Sequence, residues 1–309
     1  MSYKGRDVLT LQEFSPDEIL YILKTAKDLK EKQRTNQQHR LLEGKQLALI
    51  FQKPSTRTRV SFEVAMNELG GSSLYLSAND LQLGRGETIA DTARVLSRYV
   101  HCIMARVYKQ KDVEDLAAEA SVPVINGLSD LSHPMQILAD LLTVQEKKGK
   151  IKGVKIAFVG DGNNVCNTLL VGCTKLGADI SVACPKNYQP NQDYLSWAKK
   201  NAEASGSRVT ITEDPTQAVE KADVVYTDVF VSMGADAERE QRMKVFLPKY
   251  QVTEKLFSGA SHDAIFMHDL PAHRNEEVVP GVIDGPRSVV WDQAENRMHT
   301  SKAVLSLIT

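Results

Sequence analysis

The sequence predicts an α/β protein made of two doubly wound parallel-sheet domains with a cleft between them. Three observations support this fold class. The chain of 309 residues is long enough for two domains of ordinary size. Its candidate strands are short and nearly continuous apolar runs, as parallel strands covered on both faces require. Helical patterns alternate with these runs, which is typical of parallel strands joined by crossover helices.

The predicted elements fall into two sets along the chain. The first helix starts after Ser15, a good N-cap, with Pro16 at its first position. The polar segment 145–153 is charged, contains two glycines and separates the sets. We therefore expect domains at 1–148 and 149–309, with the last helix packing back on the first domain. The predicted strands are 47–51, 102–107, 122–126, 155–160, 179–184, 223–229, 264–268 and 289–291.

Composition excludes several classes of partner. The formal net charge is -1, from 38 basic and 39 acidic side chains, so nothing marks a nucleic-acid or membrane-surface binder. The N-terminus has no apolar core of a signal peptide, and no run approaches the roughly 18 apolar residues of a membrane span. The four cysteines form no CxxC pair and fit reduced thiols. We expect a cytoplasmic protein that binds small molecules, with no nucleic-acid or membrane partner.

The strongest motif is FQKPSTRTRVSFEVAMNELGG, in which a strand is followed by a proline and then by a helix. Residues Ser55 to Thr58 open that helix, and its first N–H groups point outwards without intrahelical partners. Arg57 and Arg59 stand beside these donors. An ordinary capped helix with surface arginines is the alternative. Three hydroxyls and two arginines in five residues favour an anion site.

Two further strand ends carry polar side chains. Arg106 ends the run IMAR, and Ser132, His133 and Gln136 lie where the next helix begins. Ligands in open α/β sheets bind outside the carboxyl ends of the strands, so these groups can converge. His133 is either a packed or capping histidine or a neutral donor to a carbonyl oxygen.

A glycine-rich turn in the second half does not predict a dinucleotide. Gly160 and Gly162 match the first two positions of GxGxxG, but the third position is Val165. The following strand also ends without the acidic residue that would hold a ribose. The turn still presents Asn163 and Asn164 to a crevice, although asparagine is also common in turns for structural reasons.

Carboxylates follow two strands of the second half. TDVFVSMG places Asp228 at a strand end with Ser232 and Met233 beyond it, and FMHDLPAHR does the same for Asp269 and Leu270. Two neighbouring carboxylates suit a cationic amine, and without one they repel, so that one tends to keep a proton. The residues alone therefore predict a phosphate-like anion and an amine bound in a cleft between two α/β domains.

The charged segment 234–250, between these two strands, has two interpretations. It is either a mobile loop over a site or a solvated helix with ion pairs. Its beginning has little hydrophobic periodicity, and the sequence leaves both interpretations open.

Taken together, the motifs resemble the transcarbamylase family over nearly the whole chain and in the same order. STRTR and HPMQ are shared by its aspartate and ornithine members, whereas SMG and HxLP indicate the ornithine branch. The segments GRGETIADTARVLSRY and NRMHTSKAVL also resemble the family. The resemblance implies transfer of the carbamoyl group of carbamoyl phosphate to the δ-amine of L-ornithine, giving L-citrulline and phosphate in arginine metabolism. It also implies no metal or organic cofactor, and a homotrimer or a multiple of trimers.

The resemblance further implies which residues form the site. Those for carbamoyl phosphate are Ser55, Thr56, Arg57, Thr58, Arg106, His133, Gln136, Leu270 and Arg297, with Gln82 from a neighbouring subunit. Those for ornithine are Asn164, Asp228, Ser232, Met233 and Asp269. Those with catalytic roles are Arg106, His133, Asp228, Asp269 and Arg297, the last at the reacting carbonyl.

The sequence departs from the family at Asp269, where ornithine members usually carry cysteine in HCLP. Aspartate brings a charge that a thiol at neutral pH mostly lacks. Three outcomes are open: the carboxylate accepts the amine proton, shifts the preferred substrate or weakens catalysis. The alternatives for the whole protein are therefore a transcarbamylase for another amine such as putrescine, or a catalytically weakened paralogue that binds ligand. Ser232-Met233-Gly234 speaks against putrescine, because the resemblance links it to an α-amino acid.

Overall fold

The structure, a computed structural model, describes residues 3–78, 81, 86–232 and 236–309, without the side chain of Asp236. The described chain forms two compact units, Met1–Leu142 with Glu295–Thr309 and Thr143–Ala294. Each unit has a parallel sheet flanked by helices, which confirms the predicted α/β class. Among the described residues, no helix combines the length and apolar character needed to cross a membrane.

The first unit contains a sheet with the strand order β2-β1-β3-β4, and all its pairings are parallel. Strand β1 is buried from its second residue onwards, as a central strand covered on both faces should be. The strands are β1 Gln46–Phe51, β2 Ser72–Ser77, β3 Cys102–Arg106 and β4 Val124–Leu128. The helices are α1 Pro16–Arg34, α2 Thr56–Glu68, α3 Ile89–Leu96, α4 Gln110–Glu119 and α5 Pro134–Lys148, of which the part from Thr143 belongs to the second unit.

The second unit contains a parallel sheet with the order β7-β6-β5-β8-β9. Its strands are β5 Lys155–Val159, β6 Asp179–Ala183, β7 Val209–Thr212, β8 Val224–Thr227 and β9 Ile265–His268. The helices that follow α5 are α6 Asn164–Lys175, α7 Gln192–Ser205, α8 Pro215–Val219, α9 Arg239–Phe246, α10 Glu254–Phe257, α11 Pro280–Ile283 and α12 Val290–Ile308. The last part of α12, from Glu295, belongs to the first unit.

Local signals account for the helix boundaries. Ser15 caps α1 and accepts the amide N–H of Glu18, whose carboxylate accepts the N–H of Ser15, so the predicted start is confirmed. Within the charged segment 234–250, the described part contains α9 with an exposed ion pair between Lys244 and Glu240. A solvated helix is therefore the correct interpretation of that part.

The strand predicted at 289–291 is wrong, because these residues lead into helix α12. A short β-branched and aromatic run favours a strand locally, but the helical pattern continues to Ile308 and decides the outcome. Only an isolated bridge, between Ser288 and Phe266, remains at this place among the described residues. Strands β2 and β7 were missed, because both are rich in serine or threonine and are largely half-exposed.

A buried ammonium group joins three helices of the first unit. The Nζ atom of Lys302, on α12, lies 2.6 Å from Glu68 Oε2 on α2 and 3.2 Å from Gln33 Oε1 on α1. Lys302 is 0% exposed, whereas the side chain of Glu68 is 24% exposed. The lysine therefore depends on these two acceptors, while the carboxylate retains some contact with water.

The two partners should differ in what their loss costs. Glu68→Ala should lower the free energy of unfolding by about 3 kcal/mol, because it leaves a buried charge with only the Gln33 amide. Lys302→Met should cost about 1 kcal/mol or less, because it removes that charge and leaves a carboxylate that water can reach. Urea unfolding of both variants followed by circular dichroism measures the difference. Equal losses of unfolding free energy in the two variants would contradict the dependence of the buried Lys302 on Glu68.

Candidate active site

The N-terminus of α2 forms the centre of a basic site in the first unit. Ser55 caps the helix: its Oγ accepts the amide N–H of Thr58 at 3.3 Å and donates to Thr58 Oγ1 at 3.2 Å. The first turn of α2 contains no acidic residue. Thr56 is exposed at the first helical position. The positive end of the helix dipole is therefore available to an anion.

The two arginines of the motif have different surroundings. Arg59 is exposed, its Nε lies 2.9 Å from Glu63 Oε1, and its guanidinium lies 3.8 Å from the centroid of the Tyr75 ring. Arg57 is half-buried and close enough to His133 to lower the pKa of that imidazole. Arg57 therefore belongs to the basic site, whereas Arg59 is satisfied on the surface.

Two more cations lie where β1 and β3 end. Phe51 pairs with Arg106 across the two strands, and the register between β3 and β4 shifts at Arg106, an irregularity that can re-aim a side chain. Lys53 is buried, with Nζ 4.6 Å from the centroid of the Tyr108 ring. Burial and the nearby Arg106 lower the pKa of Lys53, and the charge of Asp130 opposes this shift. Sequence reasoning missed Lys53, although it stands directly after β1 in the quoted motif.

His133 lies immediately before α5 and is buried among these cations. Burial lowers the pKa of His133 well below its usual range, and the positive charges of Arg297, Arg106 and Arg57 lower it further. The imidazole is therefore neutral at physiological pH. A neutral imidazole can donate one hydrogen bond without carrying a charge, as a donor to a carbonyl oxygen should.

Arg297 and Gln136 form a buried polar chain beside the helix start. Arg297 Nη1 donates to Gln136 Oε1, and Arg297 Nη2 donates to Thr58 Oγ1 at 3.2 Å. The Nε2 atom of Gln136 donates to Asp140 Oδ1 at 2.8 Å. This chain fixes the orientation of the Arg297 guanidinium and links the HPMQ and NRMH motifs to the serine–threonine turn.

The second unit carries an acidic site at the ends of β8 and β9. Thr227 pairs with His268 in the sheet, so Asp228 and Asp269 follow the two strands at the same level. Carboxyl oxygens of the two residues lie within 4.8 Å of each other, and Asp228 is only 7% exposed. Burial and then the charge of Asp269 raise the pKa of Asp228 well above its usual range.

Two donors hold the Asp228 carboxyl group in place. Asn163 Nδ2 donates to Asp228 Oδ2 at 2.7 Å, and the backbone N–H of Val229 donates to Oδ1 at 2.6 Å. The side-chain oxygen of Asn163 also caps α6 by accepting the N–H groups of Val165 and Cys166. Asn163 therefore fixes the carboxyl group from the turn after β5. Sequence reasoning noted this asparagine but selected its neighbour Asn164.

His268 supports the turn that carries Asp269. Its Nδ1 accepts the N–H of Leu270 at 2.8 Å, and its Nε2 lies 3.2 Å from Glu277 Oε1. Because Nδ1 accepts, the ring proton is on Nε2 and is donated to the buried Glu277. Burial lowers the pKa of His268, but the carboxyl groups of Asp269 and Glu277 outweigh it and raise that pKa to about 9. Nδ1 also lies 3.4 Å from Asp269 Oδ1, so this carboxyl group and the N–H of Leu270 face the same ring nitrogen.

The same contacts bear on metal binding. Side-chain atoms of Asp228, His268 and Asp269 lie within 4.8 Å of one another. A metal ligand must offer a lone pair, and the protein already uses both ring nitrogens of His268, one as acceptor and one as donor. The imidazole therefore does not fit a metal site in this arrangement.

The remaining predicted residues are placed as follows. Asn164 is the first residue of α6 and is half-buried, as is Ser232 beyond β8. Leu270 has a positive φ of 60°, an uncommon conformation that its hydrogen bond to the imidazole supports. Met233 and Gln82 lie outside the described residues. The structure thus brings together the predicted groups of the basic site and, separately, Asp228 and Asp269 of the acidic site.

Comparisons with known proteins identify a family for each unit. A family model described as "Aspartate/ornithine carbamoyltransferase, carbamoyl-P binding domain" matches residues 6–146, and one described as "Aspartate/ornithine carbamoyltransferase, Asp/Orn binding domain" matches residues 152–308. The ornithine carbamoyltransferase of Pyrococcus horikoshii is 63% identical over 308 residues, covering 100% of this chain and 97% of the relative. The anabolic ornithine carbamoyltransferase of Pyrococcus furiosus is 62% identical over 308 residues, with coverages of 100% and 98%. A solved structure of ornithine carbamoyltransferase from Pyrococcus furiosus superposes with a TM-score of 0.97 at 62% identity, covering 100% of this chain and 98% of that one.

The contrast between Arg57 and Arg59 can be tested by anion binding. Arg57→Gln should weaken the binding of inorganic phosphate about tenfold, because it removes a charge-assisted contact beside the helix N-terminus. Arg59→Gln is the matched control two positions along the same helix, and it should leave binding within about twofold because its charge is used by Glu63. Isothermal titration calorimetry measures both. Equal effects of the two substitutions would exclude a specific role for Arg57.

Proposed function

This chain belongs to the aspartate/ornithine carbamoyltransferase family, and from that premise we propose that it transfers the carbamoyl group of carbamoyl phosphate to the δ-amine of L-ornithine, forming L-citrulline and phosphate. The observation that carries the proposal is that His133 is buried and neutral. Arg57, in the first turn of α2, lies near it, as do Arg106 and Arg297. Such a site suits a phosphate bonded to a reactive carbonyl. The anabolic relative of Pyrococcus furiosus supports a role in arginine biosynthesis.

We assign the phosphate group to the basic site. The first turn of α2, with Ser55, Thr56, Arg57 and Thr58, supplies N–H groups, hydroxyls and one guanidinium, and Arg106 supplies a second. Charge-assisted hydrogen bonds from arginine to phosphate are among the stronger contacts in proteins. Lys53 adds a further positive charge near Arg106. Phosphate leaves as an anion, so the same cations stabilise the transition state as well as the substrate.

We assign the carbonyl oxygen to the donors beside that phosphate. His133, as a neutral donor, and Arg297, held by Gln136 and Thr58, are placed to stabilise the negative charge that develops when the amine attacks. Holding the amine and carbonyl in orientation supplies roughly 7 to 11 kcal/mol in favourable cases. Nothing in this displacement is oxidised or reduced, so positioning and charge stabilisation are the main requirements.

We assign the amino acid to the second unit. As the resemblance implies, Asp228 and Ser232 bind its α-amino group, Asn164 lies near its carboxylate, and Met233 also contacts it. Asp269 lies beside the substrate amine together with Asp228. Leu270, next to Asp269, completes the set of residues that contact carbamoyl phosphate. We further propose an ordered reaction, with carbamoyl phosphate bound before ornithine. The proposed assembly is a homotrimer in which Gln82 reaches a neighbouring active site, and the cytoplasmic location stays a prediction.

The activity itself is tested with a panel of amines. Purified protein with carbamoyl phosphate should form a ureido product from L-ornithine at least about a hundredfold faster than from putrescine, lysine or aspartate, because a site built for several polar groups rejects partners that lack them. Colorimetric detection of the ureido group measures all four rates. Product from putrescine alone would select the other transcarbamylase, and no citrulline above background would leave only ligand binding.

The role of His133 is tested by two substitutions. His133→Ala should lower kcat about a hundredfold, the usual cost of removing one donor to a developing oxyanion. His133→Gln should recover part of that loss, since an amide can also donate without carrying a charge. Steady-state kinetics with both substrates measures kcat for each variant. An alanine variant as active as the wild type would remove His133 from the mechanism.

A further inference from the structure

Arg242, on helix α9, is buried and connects two other segments of the second unit. Its Nε atom donates to the backbone oxygen of Phe230 at 2.6 Å, and its Nη2 atom donates to Asp161 Oδ2. Arg242 is only 7% exposed, whereas the side chain of Arg239 on the same helix is 48% exposed. A guanidinium presents several donors in one plane, so a single side chain can hold a carboxylate and a carbonyl oxygen together.

Both connected segments carry residues assigned to the amino-acid site or in contact with them. Phe230 lies between Asp228 and Ser232 in the segment that follows β8. Asp161 lies in the turn after β5, and its backbone oxygen accepts the N–H of Asn163 at 2.8 Å. The side chain of Asn163 in turn donates to Asp228 Oδ2 at 2.7 Å. Arg242 therefore links two segments that also meet at the Asp228 carboxyl group.

The segment after β6 holds the same turn from another side. The guanidinium carbon of Arg242 lies 4.8 Å from the centroid of the Tyr188 ring, and the backbone oxygen of Tyr188 accepts the N–H of Gly162 at 2.8 Å. A Cβ atom at Gly162 would collide with the backbone of Gln189 and Pro190. Glycine is therefore required here for close approach of two backbones, and Arg242 packs on the tyrosine that makes this contact.

The charges around Arg242 are arranged within the same group of residues. Burial raises the pKa of Asp161 to about 6, although the charge of Arg242 opposes this shift, so the carboxyl group is ionised at neutral pH. Glu238 Oε2 lies 3.6 Å from Arg242 Nη1, but its side chain is 62% exposed and its charge is screened by water. Apolar residues often stabilise a fold as well as a buried ion pair does. Stability alone therefore gives little reason for the pair.

We propose that Arg242 is a positioning residue for the amino acid, because it fixes the segment after β8 relative to the turn after β5. The inference rests on the function proposed above and specifies a residue that the resemblance does not assign. Arg242 acts through Phe230 and Asp161, since its donors are used by these two partners. It should affect the binding of ornithine much more than that of carbamoyl phosphate, because the groups assigned to the phosphate lie in the first unit.

Steady-state kinetics with each substrate varied against saturating amounts of the other tests the proposal. Arg242→Met should raise KM for L-ornithine about thirtyfold, because the residues that contact the amino acid lose their alignment. Both kcat and KM for carbamoyl phosphate should stay within about threefold of the wild type. Arg242→Lys should recover part of the loss, since an ammonium group can pair with Asp161 but lacks the planar fork that also reaches Phe230.

Two further variants separate positioning from a general loss of charge. Arg239→Met is the matched control three positions earlier on α9, where the arginine is an exposed partner of Glu276, and its KM for ornithine should stay within about twofold. Asp161→Asn should raise that KM about fivefold, because it removes the charge but keeps an acceptor. The double variant Asp161→Asn/Arg242→Met should be no worse than Arg242→Met alone, because both substitutions remove one interaction.

The outcomes separate this inference from the proposed activity. Thermal unfolding verifies that each variant is folded, and if Arg242→Met is not, Arg242→Lys and Asp161→Asn decide by the same measure. A wild type that forms citrulline, with an unchanged KM for ornithine in these variants, overturns the positioning role alone. Equal rises of KM for both substrates, or effects that multiply in the double variant, also overturn it. A wild type that forms no citrulline at any substrate concentration refutes the proposed function, and the inference with it. A rise confined to KM for ornithine, and absent from Arg239→Met, supports the inference.

Discussion

Parallel strand pairing is the constraint on which the candidate site depends. In a parallel sheet every strand ends at the same edge, so the residues that follow neighbouring strands are neighbours whatever their separation in sequence. Pairing of Phe51 with Arg106 brings the serine–threonine turn and an arginine to one edge of the first sheet. Pairing of Thr227 with His268 brings Asp228 beside Asp269 in the second. The strand register of each sheet therefore determines which residues meet at the ends of the strands.

Each edge concentrates charge of one sign, and this has an energetic cost. Buried like charges repel, and desolvation penalises each of them separately. In the first unit Arg106 and Arg297 are buried near His133, and burial together with their charges lowers the pKa of that imidazole. In the second, two carboxyl groups lie side by side, and burial and the charge of Asp269 raise the pKa of Asp228. Perturbed pKa values at such strand ends are typical of a binding site, although structural ion pairs also produce them.

The sequence predicted what short-range chemistry determines. The cap at Ser15, the helix start at Ser55 and most strands of both sheets follow from local residue types, and the fold class follows from their alternation. Strands β2 and β7 were missed because their polar residues lie on sheet positions that only tertiary pairing reveals. The run at 289–291 was assigned to a strand because β-branched propensity was weighed without the helix that continues beyond it.

The candidate site, like the fold, could be predicted from sequence only where local residue types determine it. Residue types and strand ends identified Arg57, Arg106 and Asp228, but pattern alone could not separate Arg57 from Arg59, because the separation depends on Glu63 one helical turn further on. Likewise, the adjacent asparagines looked equivalent in sequence, and only the three-dimensional structure shows Asn163 in contact with Asp228. Lys53 escaped notice because an isolated lysine after a strand is usually solvated, and its burial is a tertiary property.

Position 269 shows how closely the chemistry of the acidic site depends on its immediate surroundings. A carboxyl group beside Asp228 places two acidic groups in a nearly dry site, and burial together with the charge of Asp269 raises the pKa of Asp228. His268 Nδ1 lies 3.4 Å from Asp269 Oδ1, so a protonated imidazole offsets part of this charge. The pairing of β8 with β9 positions both carboxyl groups, and this register is formed by the backbone and not by the side chain at position 269.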